Sequence, residues 1–169
     1  MNIINIPNIL SLSRIILTPI FILLIYQRTH SQLILFTLFL SILITDILDG
    51  YIARKTNTTT ITGTKLDLIA DLIYVLGVHS ALAYRSLVPT WFIVILVLSF
   101  TIFTITSKHR QQQGKSIFDF IGRSAAIITM LLPVLYIVGL TEMLFIGVYI
   151  VSGMFFIACI FKIRMCCKP

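Results

Sequence analysis

Four aspartates stand inside apolar stretches of this chain, and they restrict its fold more than any other feature. They are four of the only six acidic residues among 169. Asp46 and Asp49 lie three residues apart, and Asp67 and Asp71 lie four apart. Each pair therefore occupies one face of a helix. A carboxylate inside an apolar membrane segment is costly and marks a functional site by default.

Two such faces turned toward each other form a cage of four carboxylates. The cage is strongly repulsive unless a cation lies within it. Hard oxygen ligands in this number suit Mg2+, Mn2+ or Ca2+. Gly50 and Ala53 leave the same region without bulk, so a ligand can approach the backbone closely.

The composition places the aspartates in a membrane protein. Hydrophobic residues make up 58% of the chain and charged residues 11%, which is outside the range of soluble globular proteins. The net charge of +7 would suggest nucleic acid in a soluble protein. In a membrane protein a positive net charge is typical of basic cytoplasmic loops that contact anionic lipid head groups. We therefore expect no nucleic-acid partner.

Six apolar segments fit between the polar breaks, at about 20 residues for each crossing. Pro133 is expected to kink the fifth segment. The sequence thus predicts an all-α, polytopic membrane protein with six transmembrane helices in a single domain over residues 1–169. The predicted segments are 8–26, 33–53, 64–84, 88–106, 117–139 and 143–161.

Basic residues set the orientation. They concentrate in the loop after the second segment, in the loop after the fourth and in the C-terminal tail, whereas the opposite face has only Arg28 and Arg85. The positive-inside rule then places both termini, and both aspartate pairs, at the cytoplasmic face. With no targeting extension ahead of the first segment, we expect the plasma membrane.

The aspartate pattern, D-x2-D-G-x2-A-R-x8-G-x3-D-x3-D, resembles the signature of the CDP-alcohol phosphatidyltransferases. These are integral membrane enzymes that replace CMP on a CDP-linked lipid by an alcohol and retain one phosphate. Eight positions match at fixed spacing: Asp46, Asp49, Gly50, Ala53, Arg54, Gly63, Asp67 and Asp71.

The resemblance implies roles for these residues. It implies Mg2+ or Mn2+, as two ions, held by the four aspartates, with Asp71 also the general base toward the acceptor hydroxyl. It implies a CDP-linked lipid, a small alcohol acceptor and membrane lipids as partners, and a homodimer. The residues implied at the nucleotide and diphosphate are Asn8, Asp49, Gly50, Ala53, Arg54, Gly63 and Asp67.

The first segment carries a second resemblance. Residues 7–14 look like the Pro-Asn…Thr…Arg opening of the bacterial phosphatidylglycerophosphate-synthase branch, with Ser11 where Thr is usual. Asn8 either contacts the nucleotide or simply caps the helix. We interpret Arg14 as a side chain that extends to the interface while its stem stays in the membrane.

A basic cluster at the start of the fifth segment suggests the acceptor. Arg110, Lys115 and Arg123 suit a phosphorylated alcohol, although topology alone explains basic residues here and Asp119 could pair with Arg123. Glycerol 3-phosphate is our first acceptor. Inositol phosphate, serine and phosphatidylglycerol remain alternatives.

Two other classes of protein compete with the enzyme. A cation transporter would also carry acids within the membrane, but along a path rather than near one face. An inert scaffold would not require scarce acids at such regular spacing.

Overall fold

The computed structural model describes residues 6–27, 31–55, 61–109 and 117–166, and every regular element within them is a helix. The helices are α1 (Ile6–Tyr26), α2 (Gln32–Lys55), α3 (Ile61–Tyr84), α4 (Thr90–His109), α5 (Ile117–Leu131), α6 (Pro133–Ile137) and α7 (Thr141–Cys166). Helices suit an apolar environment because a helix satisfies its own backbone hydrogen bonds. The all-α prediction is confirmed.

The predicted segments correspond to these helices, with one division. The fifth segment is split into α5 and α6, which begins at Pro133. A proline has no N–H to donate to the preceding turn, so the helix is interrupted at the position where the sequence predicts a kink. The positive φ of 86° at Gly139 then ends α6, and Leu140 N donates to Leu135 O at 2.8 Å, as in a glycine-terminated helix.

Within the ranges that the structure describes, three helices are long and apolar enough to cross a bilayer. Their candidate spans are Gln32–Ile52, Leu66–Tyr84 and Thr141–Ile163, and shorter apolar stretches are Leu12–Tyr26, Thr90–Thr104 and Ile121–Ile137. Large apolar side chains such as Leu33 and Phe156 are widely exposed, as expected of a surface that faces lipid. The chain is a membrane protein, and its six crossings and the side on which its termini lie stay predictions.

The chain divides into two compact units, Met1–Arg85 and Ser86–Pro169. In the first unit, α1 packs against both α2 and α3. Its buried stripe consists of Arg14, Thr18, Phe21 and Ile25, at the spacing of one helix face. The ring of Phe21 lies 6.5 Å from that of Phe39 in α2 and 6.5 Å from that of Tyr74 in α3. One face of α1 therefore contacts both neighbouring helices.

In the second unit, α7 packs against α4, α5 and α6. Its buried face includes Leu144, Val148 and Val151. Near the end of α7, Lys162 is buried with its Nζ 3.3 Å from the centre of the Phe103 ring, a cation–π contact.

The contact between α1 and α3 is open to a direct test. A side chain at Gly77 would collide with Ile22, and overpacking of this kind costs about 1–3 kcal/mol. We expect Gly77→Leu to lower the Tm of detergent-purified protein by several degrees. The matched change Gly153→Leu, where an added Cβ meets nothing within 4 Å, should leave the Tm within error. Equal losses in the two variants would contradict the packing described.

Candidate active site

The guanidinium of Arg14 lies among the four predicted aspartates. Its Nη2 is 2.8 Å from Asp46 Oδ1 and 2.7 Å from Asp49 Oδ2. Its Nη1 is 3.1 Å from Asp67 Oδ1 and 2.6 Å from Asp71 Oδ1. The prediction that each pair shares a helix face, and that the two faces meet, is confirmed.

The planar guanidinium suits this arrangement because its two terminal nitrogens point in fixed directions. One nitrogen binds the pair on α2 and the other binds the pair on α3. Within the described residues, α2 and α3 have little direct contact with each other, and each packs on α1 instead. As part of α1, Arg14 therefore joins α2 to α3 through ion pairs to both helices.

Burial differs across the cluster. The side chain of Arg14 is 1% exposed and that of Asp49 is 5% exposed, whereas Asp46, Asp67 and Asp71 are 30%, 44% and 35% exposed. The cluster thus has a closed side at Asp49 and an open side at Asp67. Three of the four carboxylates are thus partly exposed.

The interpretation of Arg14 as a side chain extending to the interface is wrong. Its guanidinium is buried and makes four ion pairs. A buried guanidinium requires charged partners, and four carboxylates in an apolar chain require a cation. The four acids in the sequence therefore indicate that a cationic partner is needed. They do not indicate which of the several arginines is that partner.

Two polar atoms beside the cluster lack partners. Arg14 Nε and Thr18 Oγ1, one helical turn apart on α1, are buried without a hydrogen-bond partner among the described residues. The buried guanidinium is therefore compensated through its two terminal nitrogens.

The carboxylates fit a divalent cation. Asp46, Asp49 and Asp67 each offer an oxygen, and these oxygens lie within 4.8 Å of one another. Oxygen ligands of one Mg2+ are about 3 Å apart when adjacent and about 4.2 Å apart when opposite, so these oxygens would have to draw closer together on binding. Four carboxylates and one guanidinium leave a formal charge of −3 when all are ionised, and that charge favours further cations.

The structure describes the other residues of the motif in part. Gly50 and Gly63 are half-buried near the ends of α2 and α3 that carry the aspartates. The side chains of Asn8, Ala53 and Arg54 lie outside the described residues. Their implied contacts with the nucleotide stay predictions.

The predicted acceptor cluster is described only at Arg123. Arg110 and Lys115 lie outside the described residues, and Arg123 is exposed on α5. The side chain of Asp119, its possible partner, is also outside them. The acceptor cluster stays a prediction.

A comparison with known families identifies the family to which the chain belongs. The family model for CDP-alcohol phosphatidyltransferase matches residues 4–163, nearly the whole chain. The chain belongs to this family. The predicted membership is confirmed, and the match runs through both compact units.

Several relatives match part of the chain. A CDP-diacylglycerol--glycerol-3-phosphate 3-phosphatidyltransferase of Aquifex aeolicus is 40% identical over 70 residues, which is 41% of this chain and 38% of that protein. The protein of the same name from Haemophilus influenzae is 42% identical over 74 residues, 43% and 40% of the two chains.

A cardiolipin synthase (CMP-forming) of Streptomyces coelicolor is 34% identical over 100 residues, 56% of this chain and 46% of that one. The aligned part thus covers less than half the length of each of these three relatives.

The carboxylate cluster predicts a stability that depends on divalent cations. Ligand at about 100 times its Kd stabilises the folded state by about 2.7 kcal/mol, so Mg2+ should raise the Tm in a saturable way and a chelator should reverse the effect. The double variant Asp46→Asn, Asp49→Asn should lose this response. Glu142→Gln, which removes an exposed acid at the start of α7, should retain it. An undiminished response in the double variant would place the ion elsewhere.

Proposed function

We propose that this protein is a membrane phosphatidyltransferase that transfers a phospho-lipid group from a CDP-linked lipid, such as CDP-diacylglycerol, to an alcohol and releases CMP. The observation that carries the proposal is the convergence of Asp46, Asp49, Asp67 and Asp71 from two helices on one centre. The chain belongs to this family, and a centre of four carboxylates is suited to hold the metal ions that neutralise a diphosphate substrate. The match across both units supports a single functional domain over residues 1–169.

We assign the aspartates as ligands of Mg2+ or Mn2+, with two ions as the full complement. Asp46, Asp49 and Asp67 form the close oxygen set, and Asp71 completes it from the next turn of α3. Bound ions would neutralise the diphosphate and the departing CMP. The carboxylates hold their ligand positions because the helices fix their spacing.

We assign Asp71 the role of general base. It stands outside the set of three oxygens that lie closest together, and its side chain is 35% exposed. Arg14 holds Oδ1 at 2.6 Å, which orients the carboxylate and leaves Oδ2 for the acceptor. Proton transfer to a positioned carboxylate typically contributes about 10²–10⁴-fold to a rate.

The proposed transfer is a substitution at phosphorus. Asp71 accepts the hydroxyl proton of the acceptor, and the acceptor oxygen bonds to the lipid-bearing phosphorus. The bond from that phosphorus to the bridging oxygen breaks, and CMP leaves with the electron pair. Asn8, Asp49, Gly50, Ala53, Arg54, Gly63 and Asp67 are the residues proposed to bind the nucleotide and diphosphate.

We propose glycerol 3-phosphate as the acceptor, because the relatives from Aquifex aeolicus and Haemophilus influenzae are named for it. The cardiolipin synthase of Streptomyces coelicolor makes phosphatidylglycerol the specific alternative. We place the reaction at the cytoplasmic face of the plasma membrane, where the basic loops and the nucleotide-linked donor meet. A homodimer remains a prediction of the family resemblance.

The transferase is tested by CMP release from CDP-diacylglycerol. Full-length protein in detergent with Mg2+ or Mn2+ should release CMP only when an acceptor is present, and glycerol 3-phosphate should support the highest rate. Asp71→Asn should lose at least about 10²-fold in kcat, because the base is lost.

Glu142→Gln is the matched control for loss of an acid, and it should keep the wild-type rate. CMP release with phosphatidylglycerol but not with glycerol 3-phosphate would identify phosphatidylglycerol as the acceptor. Absence of release with every acceptor from folded, metal-replete protein would overturn the transferase.

The acceptor cluster has its own kinetic signature. Arg123→Gln should raise the KM for glycerol 3-phosphate about tenfold with kcat little changed, because the ionic contact holds the phosphate equally before and during the reaction. Arg28→Gln, which removes a charge predicted for the opposite face, should leave KM unchanged. An unchanged KM in Arg123→Gln would remove this residue from the acceptor site.

A further inference from the structure

Arg14 occupies the position that a bound cation would take in most carboxylate cages. It is 1% exposed, and each of the four carboxylates gives it one oxygen at 2.6–3.1 Å. Arginine keeps its charge in proteins, so the guanidinium cannot lower its burial cost by losing a proton.

The cluster therefore already contains a cation of its own. With Arg14 its formal charge is −3, and without Arg14 it would be −4. A positive charge so close to the ligand oxygens repels an arriving divalent ion and draws charge from those oxygens. At the same time the guanidinium holds the α2 pair and the α3 pair at a fixed separation.

We propose that Arg14 is a positioning residue that serves as the internal cation of the metal-free site and competes with divalent ions for its four aspartates. This inference rests on the proposed function only in taking the aspartates as the metal site. Arg14 keeps the site folded when no metal is bound, and in doing so it weakens metal binding.

The proposal sets Arg14 apart from an ordinary structural ion pair. Loss of a structural pair would lower stability equally with and without metal and would not tighten metal binding. Loss of an internal cation should make stability depend on metal and should increase the affinity for it. The metal dependence of the stability and the direction of the change in metal affinity therefore distinguish an internal cation from a structural ion pair.

The experiment measures Mn2+ binding and Tm on the full chain in detergent, with no lipid or nucleotide present. Free Mn2+ is followed by its electron paramagnetic resonance signal during titration. We expect Arg14→Gln to bind Mn2+ about tenfold more tightly or better than wild type. Its Tm in chelator should fall by about 10 °C, as for other broken buried ion pairs, and saturating Mn2+ should restore most of that loss.

Three further variants separate charge, shape and folding. Arg14→Lys keeps the charge without the two-nitrogen fork, so it should lose Tm in chelator without gaining Mn2+ affinity. Adding Asp71→Asn to Arg14→Gln returns the formal charge to −3 and should recover part of the Tm in chelator. Arg85→Gln, an equal loss of charge at the far end of α3, should leave the Mn2+ affinity unchanged, and any loss of Tm from its contact with Ile25 O should be the same with and without Mn2+.

The outcomes separate this inference from the proposed function. Saturable binding with equal or weaker affinity in Arg14→Gln than in wild type would overturn the inference alone. A loss of Tm that Mn2+ does not restore, and that the added Asp71→Asn does not reduce, would also overturn it. Absence of saturable binding to any of the proteins would overturn the metal site and this inference together.

Discussion

The ion-pair cluster of one guanidinium and four carboxylates is the interaction on which the first unit depends. In an apolar environment neither the arginine nor the aspartates could be buried alone at an acceptable cost. Their mutual compensation fixes the rotation of α1, because the face that carries Arg14 has to point between α2 and α3. Phe21, two turns further along that face, then contacts Phe39 and Tyr74 on the same two helices. Charge and aromatic packing thus specify one arrangement of three helices.

Much of this arrangement could be predicted from the sequence, because it depends on local rules. Apolar runs bounded by polar residues indicate the helices, and Pro133 divides the fifth because it lacks an N–H. The spacing of Asp46 from Asp49 and of Asp67 from Asp71 places each pair on one face through helix geometry alone. Their position at neighbouring ends of consecutive segments brings the pairs to one depth. Eight fixed positions of the motif indicate the family.

The role of Arg14 could not be derived in the same way. In a helix where nearly every residue is apolar, periodicity does not distinguish the face that packs on protein from the face that meets lipid, so Arg14 has no visible relation to residues 32 or more positions away. Its interaction is a tertiary one, between helices that are distant in sequence. The acceptor is hard to predict for a similar reason. Basic residues at a cytoplasmic face follow from topology, and their presence near Arg123 does not by itself identify a substrate.

The order of the charges along the chain has a consequence for how the protein is made. Arg14 lies in α1, whereas its partners belong to α2 and α3, which follow it in the chain. During synthesis the arginine therefore gains its first two counter-ions with α2 and the other two only with α3. A lone guanidinium is poorly tolerated at the centre of a bilayer and readily accommodated near its surface. The ion-pair cluster, and with it the final packing of α1, is therefore completed only when α3 has been made, so this unit is finished by assembly rather than helix by helix.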